Sequence, residues 1–158
     1  MWWDERNQQL AEYSSRARVS PWAIVGCPGE WRGKQSTYPA IIEDDATVSE
    51  YARVQAGVER STHVKHNAFI MAGAHVGHDA IVGEHTDVCP NAVICGGAEI
   101  GEHAKIYSGA VITPNVKVGD FAIVAANSVA TRDIPSGEVW GGSPARFIRM
   151  RDGYEVDA

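Results

Sequence analysis

Very little in this chain points to a membrane, a nucleic acid or an oxidising compartment. Only three of its 158 residues are cysteine, Cys27, Cys89 and Cys95, and three thiols cannot build a disulfide framework. None of them sits in a pattern that marks a catalytic thiol, so free thiols in a reducing compartment are expected. Positive charge is scarce as well. Fourteen Lys and Arg against 20 Asp and Glu leave a net charge of −6, which provides no basic stripe for a nucleic-acid backbone. No apolar run approaches the ~20 residues of a membrane-spanning helix. The opening MWWDERNQQL is too charged for a secretory signal. A cytoplasmic protein with neither a nucleic-acid nor a membrane partner is expected, and with 44% apolar residues it can bury the core of one modest domain.

What the chain does have is a period of six. Twelve hexads run without interruption over residues 64–135, beginning at Val64, Ile70, Val76, Val82, Val88, Ile94, Ile100, Ile106, Ile112, Val118, Val124 and Ala130. Their fifth residues are almost all small, among them Ala68, Ala74, Ala80, Ala92, Ala98, Ala104 and Ala110. An α-helix needs apolar residues three and four apart and a half-buried strand needs alternation, so a strict six fits neither. It fits a parallel β-helix, a triangular prism in which each hexad forms one side and eighteen residues complete a coil. The β-branched first residue points inward, and the small fifth residue is expected where the chain turns a corner. Residues eighteen apart then lie about 4.8 Å from one another. Cys89 and Cys95, in successive hexads, fall on different sides of such a prism.

The repeat extends upstream, with Val19, Val25, Ile42, Val48 and Val54 opening further hexads. Two interruptions read as loops thrown out from corners, residues 30–41 (EWRGKQSTYPAI) and 60–63. Loops on a rigid scaffold commonly carry ligand contacts, so Trp31, Arg32 and Lys34 either touch substrate or cover a corner. The prism is thus expected over residues 19–135. An N-terminal arm over 1–18 contains a short helix at residues 3–15, with Trp3, Leu10 and Tyr13 along one side as a cap. An extended tail over 136–158 follows the prism.

Chemistry concentrates in AHVGHD, residues 74–79. His78 followed by Asp79 at a corner has a plain reading as exposed polar residues. The stacking rule adds a second one, because Gly96 stands eighteen residues beyond His78. A glycine one coil above a histidine leaves space for a bulky substrate and bares a backbone N–H. That pair matches the needs of acyl transfer. An imidazole with an ordinary pKa near 6.5 takes a proton from a hydroxyl or amine near neutral pH, and the oxyanion formed at a thioester carbonyl requires a donor already aimed at it. Asp79 either orients His78 or is a solvated corner carboxylate.

The repeat, the segment AHVGHDAIVGEHTDVCPNAVICGG and the ending VWGGSPAR resemble the left-handed β-helix, or hexapeptide-repeat, acyltransferases. AIVGCPGEWRGK and NAFIMAGAHVGHDAIVG resemble the middle of the UDP-N-acetylglucosamine acyltransferases of lipid A synthesis. Residues 78–146 resemble equally the sugar acetyltransferases of the sialic-acid O-acetyltransferase type. The resemblance implies a left-handed prism assembled as a homotrimer with active sites between neighbouring chains. It also implies that His78 is the general base, Asp79 its acidic neighbour and Gly96 the oxyanion donor. On the acceptor side it implies His75 and also Asp87, where some relatives carry a second histidine. Ser108, Ala126 and Arg146 are placed near acetyl-CoA. The chain ends too soon for the helical domain that follows the prism in the lipid A enzymes. A short acyl group carried by coenzyme A, an acceptor that is a sugar or nucleotide-sugar, and no required metal are therefore expected. Two alternatives share the prism. One is a zinc enzyme like the γ-class carbonic anhydrases, although no two histidines here have the five-residue spacing of their ligands. The other is a trimeric scaffold without chemistry.

Overall fold

A computed structural model describes residues 10–28 and 30–154. They form a left-handed parallel β-helix with three faces, and no α-helix occurs among the described residues. The first face stacks Ala11–Tyr13, Ala40–Ile42, Thr62–Val64, Ile81–Val82, Glu99–Ile100 and Lys117–Val118. The second stacks Arg18–Val19, Thr47–Val48, Phe69–Ile70, Asp87–Val88, Lys105–Ile106 and Ile123–Val124 before ending in the antiparallel pair Glu138–Gly142 and Ala145–Met150. The third stacks Ile24–Cys27, Arg53–Gln55, His75–Val76, Val93–Ile94, Val111–Ile112 and Val129–Ala130. Register follows the expected eighteen: Val82 pairs with Val64 below and Ile100 above.

Each strand is only about two residues long because a tight turn follows it. The fifth residue donates its N–H to the carbonyl of the second, as in Ala92 to Cys89 and Ala98 to Cys95 (3.1 and 3.2 Å). The fourth residue adopts positive φ, as at Asn67, Gly73, Asp79, His85, Asn91 and Gly97. Positive φ at the third of four turn residues defines a type II turn, which favours Gly and Asn. The fifth residue is small for a different reason from the one expected. Its side chain points inward, and Ala92, Ala98, Ala104 and Ala110 are all fully buried beside the β-branched column. The first residues from Val64 to Ala130 are at most 2% exposed, so the core is one thin stack of Val, Ile and Ala.

The expected helix in the arm is not there in its described part. Residues 3–9 lie outside the described residues, but Ala11–Tyr13 is a strand parallel to Ala40–Ile42. The lowest coil exposes unpaired backbone groups that recruit an extended segment; Ser14 donates its N–H to Ile42 O at 2.9 Å. The first loop contains a small hairpin, Glu30–Trp31 with Lys34–Gln35, and rejoins the first face at Ala40, earlier than expected. Thr62 and His63 likewise belong to a strand, so the second extra segment bulges just before them. At the other end the tail supplies a further rung, with Val139 and Trp140 pairing in parallel with Ile123 and Val124.

Ile94 is wholly enclosed in this column. Ile94→Ala is expected to cost about 2–5 kcal/mol, read as a lower urea midpoint at unchanged slope.

Candidate active site

The corner between the third and first faces holds the residues singled out above. His78 and Gly96 occupy equivalent turns of adjacent coils, and Gly97 N–H donates to His78 O at 2.8 Å. A Cβ added at Gly96 would stand 2.5 Å from His78 Nε2 and 2.7 Å from Cε1, so the imidazole lies flush against the glycine and nothing larger fits. Gly96 N–H donates to no protein acceptor among the described residues. The third residue of most hexads shares that property, but among those of residues 64–135 only Gly96 lacks a side chain.

Asp79 is the most heavily engaged group of the site. Its Oδ2 faces His78 Nδ1 at 2.7 Å, which leaves Nε2 as the ring nitrogen turned towards Gly96. Its Oδ1 accepts three backbone N–H groups, from Val58, Glu59 and Arg60 at 2.8, 2.9 and 3.0 Å. Its own N–H donates to Thr62 Oγ1 at 2.9 Å. Burial raises the Asp79 pKa, but the Arg60 N–H, the His78 ring and the N–H groups of Glu59 and Val58 outweigh it and hold the carboxyl below its ordinary value. The exposed-carboxylate reading of Asp79 therefore fails, since the residue is 8% exposed.

Both extra segments build this cradle. A side chain at Gly57 would run into the Arg60 carbonyl, so the bulge closes only on glycine. The first loop braces it from below: Thr37 and Tyr38 donate to Gly57 O at 3.1 Å, and Lys34 pairs with Glu59 at 3.2 Å. Lys34 thus contacts the second loop, whatever else it touches. An open cleft of ≈ 480 Å³ runs past His78 and Gly96, bounded by Arg60, Glu99, Asn115 and Lys117. Arg60 and Thr62 belong to the second loop, which its broken period marked as a candidate for ligand contact. Glu99 and Gln55, which accepts the His78 N–H at 3.2 Å, sit at regular hexad positions and carried no signal in the sequence.

The remaining expected residues fall elsewhere on the chain. His75 sits on the third face beside Arg53 and Val93; burial, then Arg53, then His78 push its pKa down. Asp87 lies on the second face, paired with Lys105 at 2.8 Å, and is not brought to the His78 corner within one chain. Ser108 and Ala126 stack at the corner between the second and third faces, where Asn127 donates to Ser108 O. Arg146 lies in the terminal hairpin opposite Gly141. All three cysteines are free.

The repeat has counterparts among known proteins. The family model described as bacterial transferase hexapeptide (six repeats) matches residues 61–96 and 97–132. Over that stretch the chain is similar to the hexapeptide-repeat proteins. The acyl-[acyl-carrier-protein]–UDP-N-acetylglucosamine O-acyltransferase of Campylobacter concisus is 34% identical to this chain over 88 residues, covering 52% of this chain and 34% of the relative. The chain therefore spans about a third of the length of the curated relatives it matches. PerB from Caulobacter crescentus, solved with CoA and GDP-perosamine, superposes with a TM-score of 0.65 at 26% identity, over 85% of this chain and 55% of its own. The acetyltransferase domain of PglB from Neisseria gonorrhoeae, solved with acetyl coenzyme A, gives 0.65 at 27%, over 88% and 58%.

Two outcomes follow from the corner's geometry. In Gly96→Ala the His78 ring must leave its place, which the imidazole NMR signals of the variant should register as a changed environment while the fold persists. The second concerns acid. A carboxyl with a depressed folded pKa contributes stability above its unfolded value near 3.8 and loses it as pH falls through the folded value. The melting-temperature gap between wild type and Asp79→Asn should therefore be widest near neutral pH and close below pH 3.8.

Proposed function

We propose that this protein transfers a short acyl group, acetyl from coenzyme A, to a hydroxyl or amine of a sugar or nucleotide-sugar. The observation that carries the reading is the imidazole of His78 lying against Gly96, with its far nitrogen 2.7 Å from the Asp79 carboxylate. In this reading His78 Nε2 takes the proton from the acceptor as its oxygen or nitrogen attacks the thioester carbonyl. Gly96 N–H receives the oxyanion of the tetrahedral intermediate. His78 then returns the proton to the departing thiolate, so that one ester or amide bond forms as the thioester breaks. Asp79 holds the ring in one orientation and stabilises its protonated form.

Several comparisons support this assignment. The Campylobacter relative is named as an O-acyltransferase acting on UDP-N-acetylglucosamine, and the PerB and PglB structures hold CoA or acetyl coenzyme A. The placement of Ser108 and Ala126 at a different corner from His78, and of Arg146 in the terminal hairpin, fits a trimer. There the corner of one protomer would face the His78 corner of its neighbour, and Asp87 would reach the acceptor by the same route. No helix among the described residues is long and apolar enough to cross a membrane, and the cytoplasm is the compartment this reading assigns.

The test is thiol release from acetyl-CoA with a panel of amino sugars, sugars and nucleotide-sugars. His78→Ala should reduce turnover about 10²-fold or more without altering the melting temperature greatly. Turnover that survives the substitution would remove the mechanism. Zinc-dependent bicarbonate formation would favour the anhydrase, and failure of every assay together with no binding of CoA would favour the scaffold.

A further inference from the structure

We propose that Arg60 is a positioning residue, a clamp that sets the gap between the base and the oxyanion donor. The proposal rests on the acyl-transfer reading above. Arg60 stands in the bulge beneath His78 and touches two successive coils. Its Nε donates to the main-chain carbonyl of Asp79 at 2.8 Å, and its own N–H reaches Asp79 Oδ1. One of its terminal nitrogens donates to Glu99 Oε1 at 3.0 Å. Asp79 ends the turn that presents His78. Glu99 opens the strand that leaves the turn presenting Gly96. One guanidinium therefore ties the coil of the imidazole to the coil of the bare amide.

The chemistry of the side chain suits this task. A guanidinium is a rigid planar fork with several fixed donors, whereas an ammonium on a flexible stem makes contacts one at a time and defines no plane. Within the prism the two coils are already joined by ladder hydrogen bonds, so Arg60 is not needed to hold them together. At this turn one main-chain bond, Gly97 N–H to His78 O, joins the two coils, and the Gly96 N–H takes no part in it. The clamp adds a side-chain tie beside that bond. Glu99 is held in turn by Lys117 at 3.4 Å, which fixes the upper anchor. Displacement of a catalytic group by about 1 Å can cost about 10²-fold in rate, and a partial loosening costs less.

The experiment is a double-mutant cycle on the full chain, reading kcat and KM for thiol release together with the melting temperature. Arg60→Ala and Glu99→Ala should each lower kcat about tenfold, leaving KM for acetyl-CoA within about twofold. The double variant should be no slower than either single one, because both remove the same strut. Arg60→Lys, the mildest change to folding, should remain slow, since charge without the fork does not restore the clamp. The inference is overturned if Arg60→Ala keeps wild-type kcat while His78→Ala is inactive. Full recovery in Arg60→Lys, or simply multiplied losses in the double variant, would overturn it equally. If wild type itself releases no thiol with any acceptor, the acyl-transfer reading has failed, and the clamp fails with it.

Discussion

The site depends on one constraint: from Val64 to Ala130 the coil closes after eighteen residues, in parallel register. Inward β-branched residues enforce it, because a slip of one residue would turn the Val and Ile column outward and bring polar side chains in. Val64, Val82, Ile100 and Val118 stack on one face under this rule. The same rule places Gly96 on His78. The juxtaposition of His78 and Gly96 is thus a consequence of core packing, and no dedicated contact is needed to bring those two residues to the same corner.

Register alone does not set the corner apart from the others. Equivalent corners with free third-position amides recur along the prism, yet among the described residues only this one has a buried carboxylate behind its histidine. The difference comes from two departures from the repeat. The first loop braces Gly57, Gly57 lets the bulge fold back on the Arg60 carbonyl, and the bulge aims three N–H groups at one oxygen of Asp79. Asp79 also occupies the positive-φ position of its turn, which Asn or Gly fills in most other hexads and His85, His103 and Phe121 fill in three. The turn would accept an asparagine there. The need for a carboxylate comes from His78 and from the three donors, which is a chemical requirement laid over a conformational one.

The outer surface shows the stacking rule working without chemistry. His85 and His103, each preceded by Gly-Glu, stack with ring centroids 4.7 Å apart, and Phe121 continues the column at 4.9 Å. Arg151 from the tail donates to the carbonyls of His103 and Phe121, so the described part of the tail is fastened along this corner. Like the N-terminal strand, it covers a part of the prism that the repeat by itself leaves open.

The hexad period determined the fold, its interior residues and the vertical alignment of His78 with Gly96, since every one of these follows from counting in sixes and eighteens. Counting fails where the period breaks. The bulge residues Val58, Glu59 and Arg60 carry no periodic signal, and their backbone N–H groups, the atoms that matter, are present in nearly every residue type. The arm showed the same failure: its apolar spacing suggested a helix, but Ala11–Tyr13 pairs with Ala40–Ile42 because an open sheet edge offers hydrogen bonds that local spacing does not reveal. The sequence by itself determined which residues are stacked. Only the tertiary structure decided which corner holds a buried, fully bonded carboxylate against its histidine, because that depends on where two insertions far apart in the chain meet.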